Sequence, residues 1–360
     1  MGSGSERTVV NAIVHLVHSG GFYGAERMLL DHCRVTPGQH RVVFLDAPPA
    51  LLARFAEAGV ECRSCKGLGE LLDDLRARPG LLNAHNFRAQ LYAWACASWL
   101  DLPLVLTQHG FTPRSRKQRL YTRISLLLCR SARVRKVVCV AQSIARLHEQ
   151  AGVRARKLLV IPNGLPDESL APRRERPQGP PLLGFVGRLS AEKGPDLFLD
   201  AVIPLCRQRP ELRAVLLGDG PQRDALQARI DAAGLGQRIQ LPGYQTDMDA
   251  WLRRLAVLVL SSRTEGTPMI LLEAMRAATP VAAFAVGGVP DMLEAERSAL
   301  LAAPGDTAAL GAQVARLLDD PRLAERLANE GRHRQLDHYH LPTLARSWNQ
   351  LYLSAAGGQP

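Results

Sequence analysis

The chain has 360 residues, of which 46% are hydrophobic and 22% charged, and its formal net charge is +11. That length suits two domains of about 150 to 180 residues each. The composition excludes a disordered tail, and no apolar run approaches the roughly 18 residues that span a bilayer. The start, MGSGSERTVV, lacks the apolar stretch of a secretion signal and reads as a flexible leader. Seven cysteines spread along the chain argue against a disulfide framework and for a reducing cytosol. Only five of the 45 basic residues are lysine. The basic excess suits nucleic acid, an anionic membrane surface or phosphorylated substrates, and composition does not choose among them.

Short apolar runs alternate with helix-length segments along the chain. In the first half, strands are expected at Val9–Val17, Arg41–Leu45, Leu81–His85, Leu104–Gln108, Val137–Val140 and Leu158–Ile161. In the second half they are expected at Leu182–Gly187, Arg213–Leu217, Ile239–Leu241, Val257–Leu260 and Val281–Ala285. Many of these runs are apolar on consecutive residues, the pattern of parallel strands covered by helices on both faces. Helices such as Ala25–Arg34 and Asp224–Ala233 lie between them, so the fold class is α/β with doubly wound sheets. Residues 166–181, PDESLAPRRERPQGPP, carry five prolines and read as a linker. The expected organisation is an N-terminal domain over 1–165, the linker, a C-terminal domain over 182–340, and a terminal segment over 341–360. In that segment Pro342–Leu353 is helical and packs back toward the N-terminal domain. Two such domains facing each other make a cleft at the carboxyl ends of their strands, the default binding site.

Four segments carry chemistry. Ser19–Arg27, SGGFYGAER, places Gly20 and Gly21 after the first strand, where backbone can approach a phosphate. It is not a G-x-G-x-x-G fingerprint, so a nicotinamide cofactor is disfavoured. Thr107–Gly110, TQHG, puts His109 at a strand end, either as a structural histidine or as a group facing the cleft. Gly184–Gly194, GFVGRLSAEKG, puts Arg188 and Lys193 at another strand end. There two cations would stabilise a departing diphosphate, and the alternative is an ordinary basic loop. Ser261–Ala278, SSRTEGTPMILLEAMRAA, follows a strand. Thr267 is expected to cap a helix with Pro268 at its first position and the helix running over Met269–Ala278. The amides around Gly266, Thr267, Pro268 and Met269 would form an anion site. Glu265 and Glu273 flank it, and ionised carboxylates suit hydroxyl groups. Diphosphate and hydroxyls together are the features of a nucleotide sugar.

With these pieces in order, GGFYGAERMLL, LVLTQHG, VVCVAQS, VIPNG, GFVGRLSAEKG, AVLLGDGP, LPGY, SSRTEGTPMILLEAM and GGVPDML, the chain resembles the retaining glycosyltransferases of family 4. The resemblance covers nearly the whole length and implies the GT-B fold, two Rossmann-like domains facing each other across a cleft. It implies that Glu265 contacts the donor sugar, Glu273 the nucleotide ribose, Arg188 and Lys193 the diphosphate, and that His109 is the cleft histidine. Two departures are Asp291, where the family commonly has glutamate, and Phe22–Tyr23, which extend the first glycine loop.

Three other features bear on the activity. Cys62–Cys65 is a lone C-x-x-C in a strand-like stretch and supports neither zinc nor redox chemistry. Asp247–Met248–Asp249 resembles an acidic metal motif, but it precedes a helix and reads as capping. No catalytic metal and no cofactor are expected, with a UDP- or GDP-sugar as the substrate. Residues 114–136 hold nine basic residues and no acid. Arg114, Arg116, Lys117, Arg119 and Arg123 would face an anionic membrane, or form the solvated side of a core-facing helix. Nucleic acid is disfavoured, because no recognised binding module or stacking pattern is present. The expected function is retaining sugar transfer to a glycan or lipid-linked acceptor of the cell envelope, in the cytoplasm or at the inner face of the plasma membrane. The alternatives are a nucleotide-sugar epimerase and a non-catalytic anion- or membrane-binding protein.

Overall fold

The computed structural model describes residues 10, 12–22, 24–110, 116–166 and 179–357, with residues 116 and 117 described by backbone only. The chain divides into two compact units, Met1–Asp167 with His340–Pro360, and Glu168–Tyr339.

The first unit holds strands β1 (Ile13–Val17), β2 (His40–Leu45), β3 (Glu61–Cys65), β4 (Leu81–Ala84), β5 (Leu104–Gln108), β6 (Val134–Cys139) and β7 (Leu158–Val160). They form one parallel sheet in the order β3-β2-β1-β4-β5-β6-β7. The second unit holds β8 (Leu182–Val186), β9 (Arg213–Leu217), β10 (Ile239–Gly243), β11 (Val257–Leu260), β12 (Val281–Phe284) and β13 (Leu300–Ala302), ordered β10-β9-β8-β11-β12-β13, again all parallel. Both sheets reverse direction once, between β1 and β4 and between β8 and β11. In a doubly wound sheet that reversal leaves a crevice at the carboxyl ends of the two central strands, where ligands bind.

Side-chain alternation decides what each face carries. In the first sheet, Val14, Leu16, Leu82, Ala84, Leu104 and Leu106 join one buried cluster. The side chains on the other face, Ile13, Leu81, Val105 and Val138, join a second cluster with Trp348, Leu351, Tyr352 and Ala355. Those last four belong to the helix Leu341–Gly357, longer at both ends than the Pro342–Leu353 span read from sequence. Tyr352 is fully buried, and its hydroxyl accepts from Asn83 Nδ2 at 3.0 Å and meets His32 Nε2 at 3.0 Å.

Several expectations need correction. β1 starts at Ile13, with Val9 outside the described residues, and β6 starts at Val134 rather than Val137. Arg135 and Lys136 hid the start of β6. The Arg135 guanidinium donates to the Ala355 carbonyl at 2.5 Å and Lys136 to the Arg156 carbonyl at 3.3 Å, so both charges are used without leaving the strand. β13, with only three residues, was not expected, and β3 was read only as a strand-like stretch around Cys62–Cys65. β3 is an edge strand, ECRSC. The β3 thiols are free, with Cys65 buried and Cys62 half-buried, and burial pushes both thiols up. Asp247 caps the helix Met248–Arg254 by accepting from the Ala250 amide at 3.0 Å, as read from sequence.

Candidate active site

In the second unit, the loops that leave β8 and β11 flank the switch point and carry the predicted residues. Arg188 follows β8, is exposed, and its side chain makes no hydrogen bond or ion pair among the described residues. Five residues on, Lys193 Nζ donates to Glu265 Oε1 at 2.8 Å and Oε2 at 2.9 Å. The Glu265 side chain is only 5% exposed and the Lys193 side chain 33%. Ser262 Oγ also donates to Glu265 Oε1, at 2.6 Å, so three donor contacts hold one carboxylate in place.

Two glycines let these loops come close. Gly194 has φ +64°, and a Cβ there would lie 2.1 Å from the Ser261 carbonyl oxygen. Ser261 Oγ donates instead to the Gly194 carbonyl at 2.7 Å. Gly287 has φ +54°, and a Cβ there would lie 1.9 Å from the Glu265 carbonyl oxygen, which accepts from the Gly288 amide at 3.1 Å. Any side chain at either position would push the loops apart. Arg263 adds a second tie, donating to Asp196 in a bidentate pair at 2.9 and 2.6 Å and to the Ala191 carbonyl at 2.7 Å. The same guanidinium holds the Asp196 carboxyl below the usual carboxylate range.

The helix after β11 spans Met269–Arg276, with Pro268 as its N-cap. This corrects the sequence reading in two ways. Pro268 takes the cap position instead of the first helical one, so Thr267 stands one residue before the cap, and the helix ends two residues earlier than Ala278. Proline has no side-chain acceptor, and the first turn carries no acid. The Pro268 side chain therefore makes no cap hydrogen bond to this helix start. Thr267 and Glu273 are buried, at 6% and 7% exposure, whereas Gly266 and Met269 are half-buried.

In the first unit, Gly20 and Gly21 follow β1, and a Cβ at Gly20 would meet nothing within 4 Å. The Ser19 hydroxyl closes the turn on the Gly21 carbonyl at 2.9 Å. His109 follows β5 and hydrogen-bonds His85, which follows β4, with His85 Nδ1 3.2 Å from His109 Nε2. Both line a cavity of about 150 Å³ with Val17, Ala25, Glu26, Leu29 and Asn86. His85 in turn meets His15 in the middle of β1 at 3.0 Å, and His15 meets His40 at the start of β2 at 2.9 Å. Burial lowers all of these rings from the usual histidine value, His40 and His109 to about 4. Sequence reading missed Ser262, His85, His15, His40 and Glu26. Alternation within each strand was readable, but only the register of β1, β4 and β5 puts His15, Asn83 and Thr107, with His85 and His109 at the strand ends, on one face.

His15, His32 and His40 each offer a ring nitrogen within 4.8 Å of the others, a spacing a metal ion could use. His32, however, has both nitrogens engaged, Nε2 with the Tyr352 hydroxyl at 3.0 Å and Nδ1 with Thr36 Oγ1 at 3.2 Å.

Of the predicted membrane-facing residues, Arg114 lies outside the described residues. Arg116 and Lys117 open the helix Arg116–Arg130, and their side chains are likewise outside the description. Arg119, Leu120, Arg123, Leu127 and Arg130 are exposed, Leu120 by 54% and Leu127 by 59%. At spacings of three, four and seven they form one face, while Ser125 and Cys129 are buried on the other. Among the described residues, no helix is long and apolar enough to cross a membrane.

Comparison with known proteins agrees with this layout. Residues 4–169 match the family described as Glycosyltransferase Family 4, and residues 167–334 match Glycosyl transferases group 1. Glycogen synthase of Mycobacterium tuberculosis is 30% identical over 303 residues, which cover 81% of this chain and 73% of that protein. The lipopolysaccharide core biosynthesis mannosyltransferase LpsB of Rhizobium meliloti is 36% identical over 155 residues, 41% of this chain and 44% of that one. The solved structure of Anabaena Alr3699/HepE in complex with UDP-glucose superposes with a TM-score of 0.84 at 20% identity, covering 95% of this chain and 99% of that one. Two doubly wound Rossmann-like domains of this kind make the GT-B fold. The chain belongs to the glycosyltransferases, with a family 4 N-terminal half.

Proposed function

We propose that this glycosyltransferase moves a sugar from a nucleoside diphosphate donor, UDP- or GDP-linked, to an acceptor hydroxyl with retention of anomeric configuration. The observation that carries the donor half is the cluster in the second unit. It combines Arg188, whose side chain has no partner among the described residues, the Lys193–Glu265 pair held by Ser262, and a helix start where Pro268 supplies no side-chain cap. Arg188, Lys193 and the backbone N–H groups of Gly266, Thr267 and Met269 bind the diphosphate. Glu265 accepts from hydroxyls of the sugar and Glu273 from those of the ribose.

As the bond between the anomeric carbon and the phosphate oxygen breaks, negative charge collects on the diphosphate, and the two cations stabilise it where a metal would otherwise serve. The acceptor oxygen attacks from the same face, and its proton passes to the departing phosphate oxygen. His109 orients the sugar and supports positive charge at its anomeric carbon. Gly20 and Gly21 let the backbone approach the phosphates.

The acceptor is a glycan or lipid-linked glycan of the cell envelope, in line with the lipopolysaccharide mannosyltransferase among the relatives. The exposed face of Leu120, Arg123, Leu127 and Arg130 rests on an anionic membrane at the cytoplasmic side. Its arginines meet headgroups and its leucines enter the acyl boundary. Sedimentation with vesicles containing anionic lipid tests this contact, and L120E/L127E should abolish it.

The experiment for the transfer itself uses a panel of UDP- and GDP-sugars with lipid-linked acceptors, in the presence of a chelator. Product whose new linkage keeps the donor's anomeric configuration by NMR supports the reading. Sugar epimerised in the absence of acceptor, inverted product, or turnover lost to the chelator contradicts it.

A further inference from the structure

The four imidazoles that end at His109 form an unbroken chain, and its bonding pattern restricts their protons. Each contact joins one Nδ1 to one Nε2: His109 Nε2 to His85 Nδ1, His85 Nε2 to His15 Nδ1, and His15 Nε2 to His40 Nδ1. A neutral imidazole has one N–H and one lone pair. A continuous chain of neutral rings therefore has only two arrangements, all Nδ1–H or all Nε2–H. Mixed sets place two lone pairs or two protons against each other at about 3 Å.

The rings are held neutral by their surroundings. His15 is fully buried, and His32 and Tyr352 stand against it edge-on at ring-centroid distances of 5.3 and 6.4 Å. His32 and Tyr352 also pack on His40, and Glu26 lines the cavity at His85 and His109. Among the described residues no carboxylate hydrogen-bonds any of the four rings, so a charge on one would go uncompensated. Burial accordingly lowers the titration of all four.

The far end of the chain closes the set. His40 Nδ1 is committed to His15, and its Nε2 is a buried atom with no hydrogen-bond partner among the described residues. Whichever nitrogen of His40 carries the proton, the same nitrogen carries it in every ring down the chain.

We propose that His85, His15 and His40 are positioning residues for His109, locking it into one tautomer so that its Nε2 is spent on His85 and its Nδ1 meets a substrate hydroxyl in one fixed role. This rests on the reading that His109 touches the sugar or acceptor. The chain reaches across β5, β4, β1 and β2, so the orientation of a ring at the site is set some three side chains away, by a half-buried residue at the start of β2.

The test is histidine tautomer assignment by long-range proton–nitrogen correlation on the full chain at neutral pH, with peaks assigned from single substitutions. The expected result is one and the same protonated nitrogen in His40, His15, His85 and His109. A mixed set of tautomers or a charged ring among the four overturns the proposal. So does stoichiometric zinc in the purified protein that His32→Ala removes, because His15 Nε2 would then be a ligand.

The kinetic arm uses His40→Gln, at the half-buried end where folding is least at risk, with His15→Phe as the stronger break. Release of the tautomer should lower kcat about tenfold, by analogy with the larger loss that a wrong tautomer causes in a catalytic triad. Donor KM should stay within a factor of two, and the His109 signals should split between tautomers. An unchanged His109 spectrum in His40→Gln overturns the coupling. His109→Ala tests the underlying reading separately: full turnover in that variant removes the site role of His109, and the positioning role with it, whatever the spectra show.

Discussion

Lys193 Nζ lies within 2.9 Å of both carboxylate oxygens of Glu265, so the cation assigned to the diphosphate and the acid assigned to the sugar form one ion pair. The two substrate-binding roles are coupled through that contact, and mutation of either residue disturbs the other. Lys193→Ala leaves a carboxylate that is 5% exposed with Ser262 as its one remaining side-chain donor. The expected result is a stability loss of about 1–3 kcal/mol together with a fall in turnover of about 10²–10³. Glu265→Gln keeps the shape and removes the charge, so it should lose turnover with a smaller change in unfolding midpoint. Steady-state kinetics and urea unfolding of both variants check the pattern.

Gly287 tests whether the backbone of Glu265 must be held where it is. Its φ of +54° and the 1.9 Å approach to the Glu265 carbonyl leave no room for a methyl group. Gly287→Ala is expected to cost at least about 1–3 kcal/mol from backbone strain alone, with the clash in addition. Donor turnover should be lost even in the fraction that folds. Gly20→Ala is the comparison, because a Cβ there meets nothing within 4 Å of the protein. It should leave the unfolding midpoint unchanged.

The histidine chain gives the first unit an acid limit. His40 and His109 titrate at about 4 in the folded state, against 6.5 ordinarily. Between those values the unfolded chain binds protons that the folded chain does not, so stability falls as pH drops from about 6.5 to about 4. Above pH 6.5 these groups should contribute no pH dependence. His15, His32 and His85 shift in the same direction and steepen the fall. Urea midpoints measured from pH 8 to pH 4 read this directly, and a flat profile across the acid window would contradict it.

Tyr352 ties the last helix to the first sheet. Tyr352→Phe keeps the ring and removes the hydroxyl that meets Asn83 and His32. One buried donor then loses its partner, at a cost of about 1–3 kcal/mol. The variant should unfold at lower denaturant with catalytic constants unchanged at low temperature.

Much of this arrangement was legible in the sequence because parallel strands buried on both faces read as unbroken apolar runs. Leu104–Gln108, Arg213–Leu217 and Val257–Leu260 appear at the expected residues. β3 was legible only as a strand-like stretch around Cys62–Cys65, since an edge strand reading ECRSC looks polar until its neighbours are known. Glu265 and Lys193 could be named from their motifs, but their pairing could not, because it depends on the tight approach of two loops 72 residues apart. The histidines were individually unremarkable: only the register of β1 between β2 and β4 stacks His15 between His40 and His85.

The most direct measurement is calorimetric titration of UDP and GDP into the wild-type chain and into Arg188→Ala. Arg188 has no partner among the described residues, so its removal should leave the unfolding midpoint within about 0.5 kcal/mol of wild type. Saturable binding of one nucleotide, weakened at least about tenfold by Arg188→Ala, as expected for a lost charge-assisted contact of about 1.5–3 kcal/mol, is the predicted result. Equal affinity in the two proteins, or no binding of either nucleotide to the wild type, would mean that the loops after β8 and β11 do not hold a diphosphate.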